Sequence, residues 1–156
     1  MTEQPTHQGV FRVYDTVDRT ITYLRMLMSE GYKPLSLATL AAECPNLLMA
    51  SQKLLMANAV YPRIDRLIIT NQTGTPVDTE TTYNGVIYTA TSNVEFFRAP
   101  GNPYRVAWAI PANVANGNWG SFVLVDEAGA MINRALAGIT KAAGTAKIVE
   151  FEGRVS

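Results

Sequence analysis

An α+β fold, an N-terminal helical segment followed by a mainly antiparallel β-sandwich, is what this sequence predicts, and three observations lead there. Apolar residues recur at helical spacing in the first sixty positions. Short runs of alternating apolar and polar residues fill the remainder. Clusters of Gly, Pro and Asn separate those runs at regular intervals. The organisation expected is a flexible polar arm over residues 1–14, a helical segment over 15–62 and a β-sandwich over 63–156.

The helical expectation rests on caps as well as period. Asp15 or Thr16 can accept from the orphan backbone N–H groups that open a helix, and Val17, Ile21, Leu24 and Met28 then share one stripe. Gly31 suits the C-terminal cap and Pro34 stops continuation. Ser36 caps a second helix, "LATLAAEC", ending near Cys44-Pro45. Asn46 caps a third, in which Leu47, Leu48, Leu54, Leu55 and Met56 form a wide apolar face that Pro62 closes.

From Ile64 onward the period shortens to two. "RLIIT" reads as a strand leading into a polar turn with Gly74 and Pro76, and Asn84-Gly85 marks a hairpin turn or a loop. In "YRVAWAI", Val106, Trp108 and Ile110 alternate with Arg105, Ala107 and Ala109. "FVLV" and "MINRAL" flank Asp126-Glu127-Ala128-Gly129, a four-residue hairpin loop with Gly129 placed for a left-handed backbone. "AGITKAAG" reads as a corner, and "AKIVEFEG" as a last strand setting Ile148, Glu150 and Glu152 against Val149 and Phe151. About six short strands at such spacing predict a sandwich.

Composition narrows the function classes. Charged residues are 17% of the 156, against about a quarter in ordinary soluble domains, so part of the surface is expected to be covered. Thirteen basic and thirteen acidic residues cancel without forming runs, which excludes a phosphate-backbone footprint, so no nucleic acid is expected as partner. No apolar run approaches a membrane span and the first residues carry no secretory pattern, so neither a membrane nor an exported location is expected. One Cys, Cys44, forms no internal disulfide and reads as a small buried hydrophobe.

No constellation for catalysis emerges. His7 is the only histidine and lies in the expected arm, so neither a nucleophile–histidine pair nor a zinc site is expected, and no catalytic residue, metal or cofactor is assigned. Asp78 with Glu80, and Asp126 with Glu127, sit in turns, where acidic residues ordinarily stay solvated or accept from backbone N–H groups. Asn71-Gln72-Thr73 matches a glycosylation sequon without a secretory context. Phe96, Phe97, Tyr104, Trp108, Trp119 and Phe122 crowd into 27 positions. Exposed, Tyr104, Trp108 and Trp119 would make a sugar platform; buried, they are sandwich core or subunit interface.

Residues 64–153 also carry a family pattern. It runs through "IDRLIITNQTGTP", the Ile110-Pro111 step, Asn116-Gly117, Asp126 to Gly129, Asn133-Arg134-Ala135-Leu136 and Ile139-Thr140-Lys141. This pattern resembles a small β-sandwich module of tail-fibre, baseplate and related structural proteins of tailed bacteriophages. One step departs from it: Ser121 and Phe122 stand where the module carries an acidic residue and Gly. The resemblance implies a non-enzymatic virion component, made in the host cytoplasm, that joins other tail, baseplate or fibre proteins and forms a homo-oligomer. It would be a tail or baseplate component, with a fibre-to-tail adaptor as the finer form of that expectation. A carbohydrate-binding receptor module and a capsid decoration protein are the other classes. The interface expected on this reading is the apolar helix stripe of Leu24, Met28, Leu48, Leu55 and Met56, together with sandwich edges.

Overall fold

A computed structural model describes residues 7–16, 39–45, 47–48, 64–91, 93–96 and 104–155. Ten strands are described: β1 (His7–Thr16), β2 (Thr39–Pro45), β3 (Leu47–Leu48), β4 (Arg66–Thr70), β5 (Val86–Ala90), β6 (Val94–Phe96), β7 (Tyr104–Ile110), β8 (Gly117–Val125), β9 (Met131–Lys141) and β10 (Ala146–Val155). They form two five-stranded sheets, ordered β2-β1-β10-β7-β6 and β3-β9-β8-β4-β5. The described pairings are antiparallel. The sheets pack face to face on one apolar core, a sandwich-like architecture.

The expected α+β class is therefore corrected: no helix is present among the described residues. β1 takes up residues expected as arm and helix cap, and lies inside the first sheet between β2 and β10. Its sequence "VFRVY" is β-branched and aromatic, and Phe11 and Val13 point into the core. "TLAAECP", expected as a helix, is β2. Its Ala content favours a helix by well under 1 kcal/mol per residue, a preference that the ladder to β1 and the burial of Cys44 outweigh. Leu47-Leu48, expected in a helix, pairs with Arg134 and Asn133. The other expected interface residues, Leu24, Met28, Leu55 and Met56, lie outside the described residues. Among the described residues no helix is long and apolar enough to cross a membrane.

Elements read from alternation stand closer to expectation. Val106, Trp108 and Ile110 face the core together. Asp126 to Ala130 closes the β8–β9 hairpin: the Asp126 N–H donates to the Ala130 carbonyl at 3.0 Å, and Gly129 takes φ +84°. "AGITK", expected as a corner, instead continues β9 through a bulge, and the chain turns only after Lys141. The Asn84-Gly85 pair ends a loop rather than a hairpin; Gly85 has φ +69° and its carbonyl accepts from Asn71 N–H at 2.8 Å.

The core centre is aromatic. The Phe11 ring stacks on Phe122 at 5.1 Å and tilts against Phe151 at 5.0 Å, and Trp119 meets Phe122 edge-on at 5.8 Å. Phe11 thus joins the two sheets from the first third of the chain. The outer face of the second sheet carries a smaller apolar cluster of Ile68, Val123, Val125 and Met131. The β4–β5 loop lies over this sheet, and its Tyr83 packs on that cluster.

The loop is held by Arg134, a β9 residue that is 1% exposed. Its guanidinium donates to both Glu80 carboxylate oxygens at 2.8 and 2.7 Å, to the Gly74 carbonyl at 2.7 Å and to Ser121 Oγ at 3.1 Å. The Ser121 hydroxyl in turn donates to the Gln72 carbonyl. Gly120 beside it is obligatory: a Cβ there would stand 2.6 Å from the backbone of Asn71 and Gln72. The Arg134 hydrogen bonds hold the Glu80 carboxyl below its ordinary value of 4.5. Because the folded value is the depressed one, this stabilisation is present above pH 4.5 and is lost as the pH falls through the folded value.

Two outcomes are expected in urea unfolding. Phe11→Ala lowers the unfolding free energy by about 3–5 kcal/mol, as for a central core aromatic; a change below 1 kcal/mol removes β1 from the core. Arg134→Met costs about 2–4 kcal/mol at pH 7 and flattens the loss of stability below pH 4.5, measured as the urea midpoint against pH.

Candidate functional site

The first sheet turns Phe11, Val13, Val106, Trp108, Val149 and Phe151 inward, so the intervening residues occupy its other face. Register sets them in rows. Glu43, Arg12 and Glu150 are consecutive partners across β2, β1 and β10. Glu152 faces Arg105 across β10 and β7, and Leu40 faces Tyr14 across β2 and β1. Strand pairing alone therefore interleaves opposite charges, the arrangement that stabilises cross-strand neighbours.

Side chains complete what register begins. Arg12 donates to Glu43 at 3.2 Å, to Glu150 at 3.2 Å and to Glu152 at 2.9 Å, and Arg105 donates to the second Glu150 oxygen. Glu150 is fully buried, between two guanidinium groups, whereas the Glu43 side chain at the β2 edge is 54% exposed. Burial works to lower the Arg12 pKa, but the hydrogen bonds and charges of Glu152 and Glu150 outweigh it and raise the net value. Burial, followed by the Glu150 charge, pushes the Tyr14 phenol up to about 12, so it stays protonated at neutral pH. These groups border a depression of about 240 Å³. With both carboxylates held by arginines and the phenol locked, the array is suited to fixing strand register and to electrostatic selection of a partner, with its exposed end at β2.

Exposed apolar residues mark the same edge and the opposite one. Leu40 on β2 is 48% exposed and Val86 on β5 is 53% exposed; both strands stand at the end of their sheets in the described order. An edge strand with an apolar side chain in solvent is a template for pairing with a neighbouring chain.

The aromatics of the expected sugar platform lie elsewhere. Trp108 is 0% exposed and Trp119 1%, with its indole N–H donating to the Ala115 carbonyl at 2.7 Å, so neither ring offers a face to solvent. Tyr104 opens β7, paired with Gly153. The acidic turn residues are engaged structurally: Glu80 binds Arg134, and Asp126 Oδ1 accepts from the N–H groups of Ala128 and Ala130. His7 pairs with Val155 at the start of β1. The Cys44 thiol donates to Ala137 O at 3.7 Å, and burial pushes its pKa up. Among the described residues no three His, Cys, Asp or Glu side chains gather as metal ligands. Sequence reading passed over Arg12, Tyr14 and Arg134; the alternation of "VFRVY" was the signal for the first two.

The described residues thus define a sandwich-like protein of two antiparallel sheets, with a charged, part-buried outer face on one and a clamped loop on the other. Comparison with family models, curated proteins and solved structures gives no match to the chain.

Removing the central carboxylate should be far costlier than removing the edge one. Glu150→Gln leaves two guanidinium groups short of a counter-charge and is expected to lower the unfolding free energy by about 2–4 kcal/mol. Glu43→Gln is expected to cost under about 1 kcal/mol. Equal costs in chemical denaturation would dissolve the distinction between a buried anchor and an exposed rim.

Proposed function

We propose that the chain is a structural component of a tailed-phage virion, working in the tail or baseplate through protein–protein interfaces and as a homo-oligomer. The observation that carries the reading is where the resembling steps fall in the fold. Ile110-Pro111 ends β7, Asn116-Gly117 opens β8, and Asp126 to Gly129 turns between β8 and β9. Asn133 to Leu136 lies within β9, and Ile139 to Lys141 ends it. Four of these five steps lie at strand ends or in a turn, which is what a shared sandwich module would retain. The exposed apolar residues on β2 and β5, together with the low overall charge, support self-association along sheet edges. The charged row ending at Glu43 supports a partner selected by charge as well as by shape.

Two measurements test this. Light scattering across a wide concentration range is expected to give a defined multiple of 17.0 kDa, and Val86→Lys is expected to shift it towards the monomer. A monomer at every concentration removes self-assembly from the reading. An antibody against the chain is expected to label tails of the particles whose genome encodes it, and the chain's absence from purified particles overturns the virion assignment.

A further inference from the structure

From a second region, one independent of the virion reading, we infer a binding site for a neutral saccharide on the outer face of the second sheet. The site is built by an irregularity. Trp119 pairs with Ile139 and Ser121 with Leu136, so Gly120 alone opposes both Ala137 and Gly138. The bulge gives Gly138 a φ of +61°, and a Cβ placed there would meet nothing within 4 Å. Gly138 therefore leaves an open floor, beside the backbone of Asn71 and Gln72 that covers Gly120. The Asn71–Thr73 segment, pressed against Gly120, makes one wall, and the Asn118–Thr140 pair, bonded at 2.6 Å, closes one end. The depression is open to solvent and has a volume of about 690 Å³, within the range of small-ligand sites.

Chemistry of the lining selects the ligand class. Asn118 contributes an amide, and Thr73 and Thr140 hydroxyls, all on exposed residues, while the Asn71 amide carbonyl lies against Gly85. Leu136, 41% exposed, and the partly buried Ile139 contribute apolar surface. Among the described residues no ionisable side chain lines the groove. An anionic ligand would find no cation to offset its desolvation, and a purely apolar one would strand the amides and hydroxyls. A pyranose meets both conditions: its hydroxyls pair with amides that donate and accept, and its C–H face covers Leu136. Trp119 borders the floor from beneath, with its ring committed to Phe122 and its N–H to Ala115. Recognition therefore proceeds through amides and an aliphatic contact, without a stacked aromatic.

Ligand-observed NMR and calorimetry on the full chain test the assignment. The panel is neutral hexose and N-acetylhexosamine mono- and oligosaccharides, with sialylated and sulfated sugars alongside. At least one neutral sugar is expected to bind with a Kd of about 10 mM or tighter. Gly138→Asn keeps the left-handed backbone, which Asn tolerates, and fills the floor; it is expected to weaken binding about tenfold or more. Thr140→Val keeps a β-branched strand residue and removes only the hydroxyl, and is expected to weaken binding several-fold with an unchanged circular dichroism spectrum. Thr140→Val alone decides the matter if Gly138→Asn does not fold. No binding across the neutral panel, tighter binding of the charged sugars, or affinity indifferent to Thr140→Val each overturns the assignment.

Discussion

The Arg134 guanidinium is the interaction on which the second sheet depends. A side chain in mid-strand reaches from β9 to three parts of the β4–β5 loop's anchorage: Glu80, the Gly74 carbonyl and Ser121, itself bonded to Gln72. Arginine suits this position because its planar fork presents donors in fixed directions, so one residue sets the height and lateral position of several loop atoms together. Its desolvation is costly, and the bidentate carboxylate and the two further acceptors offset that cost. The loop in turn brings Tyr83 onto Ile68, Val123, Val125 and Met131, an apolar patch on what would otherwise be a solvent face. Ser121 is a neutral partner small enough to serve both Gln72 and Arg134.

The two outer faces solve burial by opposite means. On the first sheet, paired charges in register seat a carboxylate as deep as Glu150 between two arginines. On the second, the buried Arg134 draws a loop down beside the apolar cluster of Ile68, Val123, Val125 and Met131. Satisfaction is incomplete in the interior: the Asn133 amide and the Trp108 indole N–H are buried without hydrogen-bond partners, each a cost of about 1–3 kcal/mol. Asn133 lies next to Arg134 on β9, and Trp108 lies in the middle of β7.

Legibility followed the range of the forces involved. β7, β10 and the β8–β9 hairpin could be read because alternation and a left-handed glycine are local signals. β1, β2 and β3 could not, because "TLAAEC" has helical propensity and its strand state comes from β1, a partner set by tertiary packing. The apolar stripe of Leu24 and Met28 and that of Leu55 and Met56 lie outside the described residues, while Leu48 takes part in a sheet pairing. The tryptophans were legible as core or platform, and only packing against Phe122 and the core cluster decides between these. The groove was not legible at all: its wall, floor and end come from residues 71–73, 118–120 and 136–140, and no local motif announces their meeting.

That meeting follows from the clamp. Asn71 and Thr73 stand where they do because Gln72 between them is bonded to Ser121, and because Gly74 and Glu80 downstream are bonded to Arg134. Gly120 allows the loop to descend into backbone contact, and Gly138, one bulge away, keeps the adjoining space clear. The same guanidinium that pairs with the partly exposed Glu80 carboxylate therefore positions the loop that walls the groove. Its charge is spent on the loop and not presented to the groove. Edges rich in exposed apolar and charged groups are suited to other chains, and a recessed surface lined by amides and hydroxyls is suited to a small uncharged ligand. The β2 edge belongs to the first sheet and the groove to the second, whereas Asn71 in the groove wall is bonded to Gly85 beside the β5 edge, so only the β2 edge stands apart from the groove.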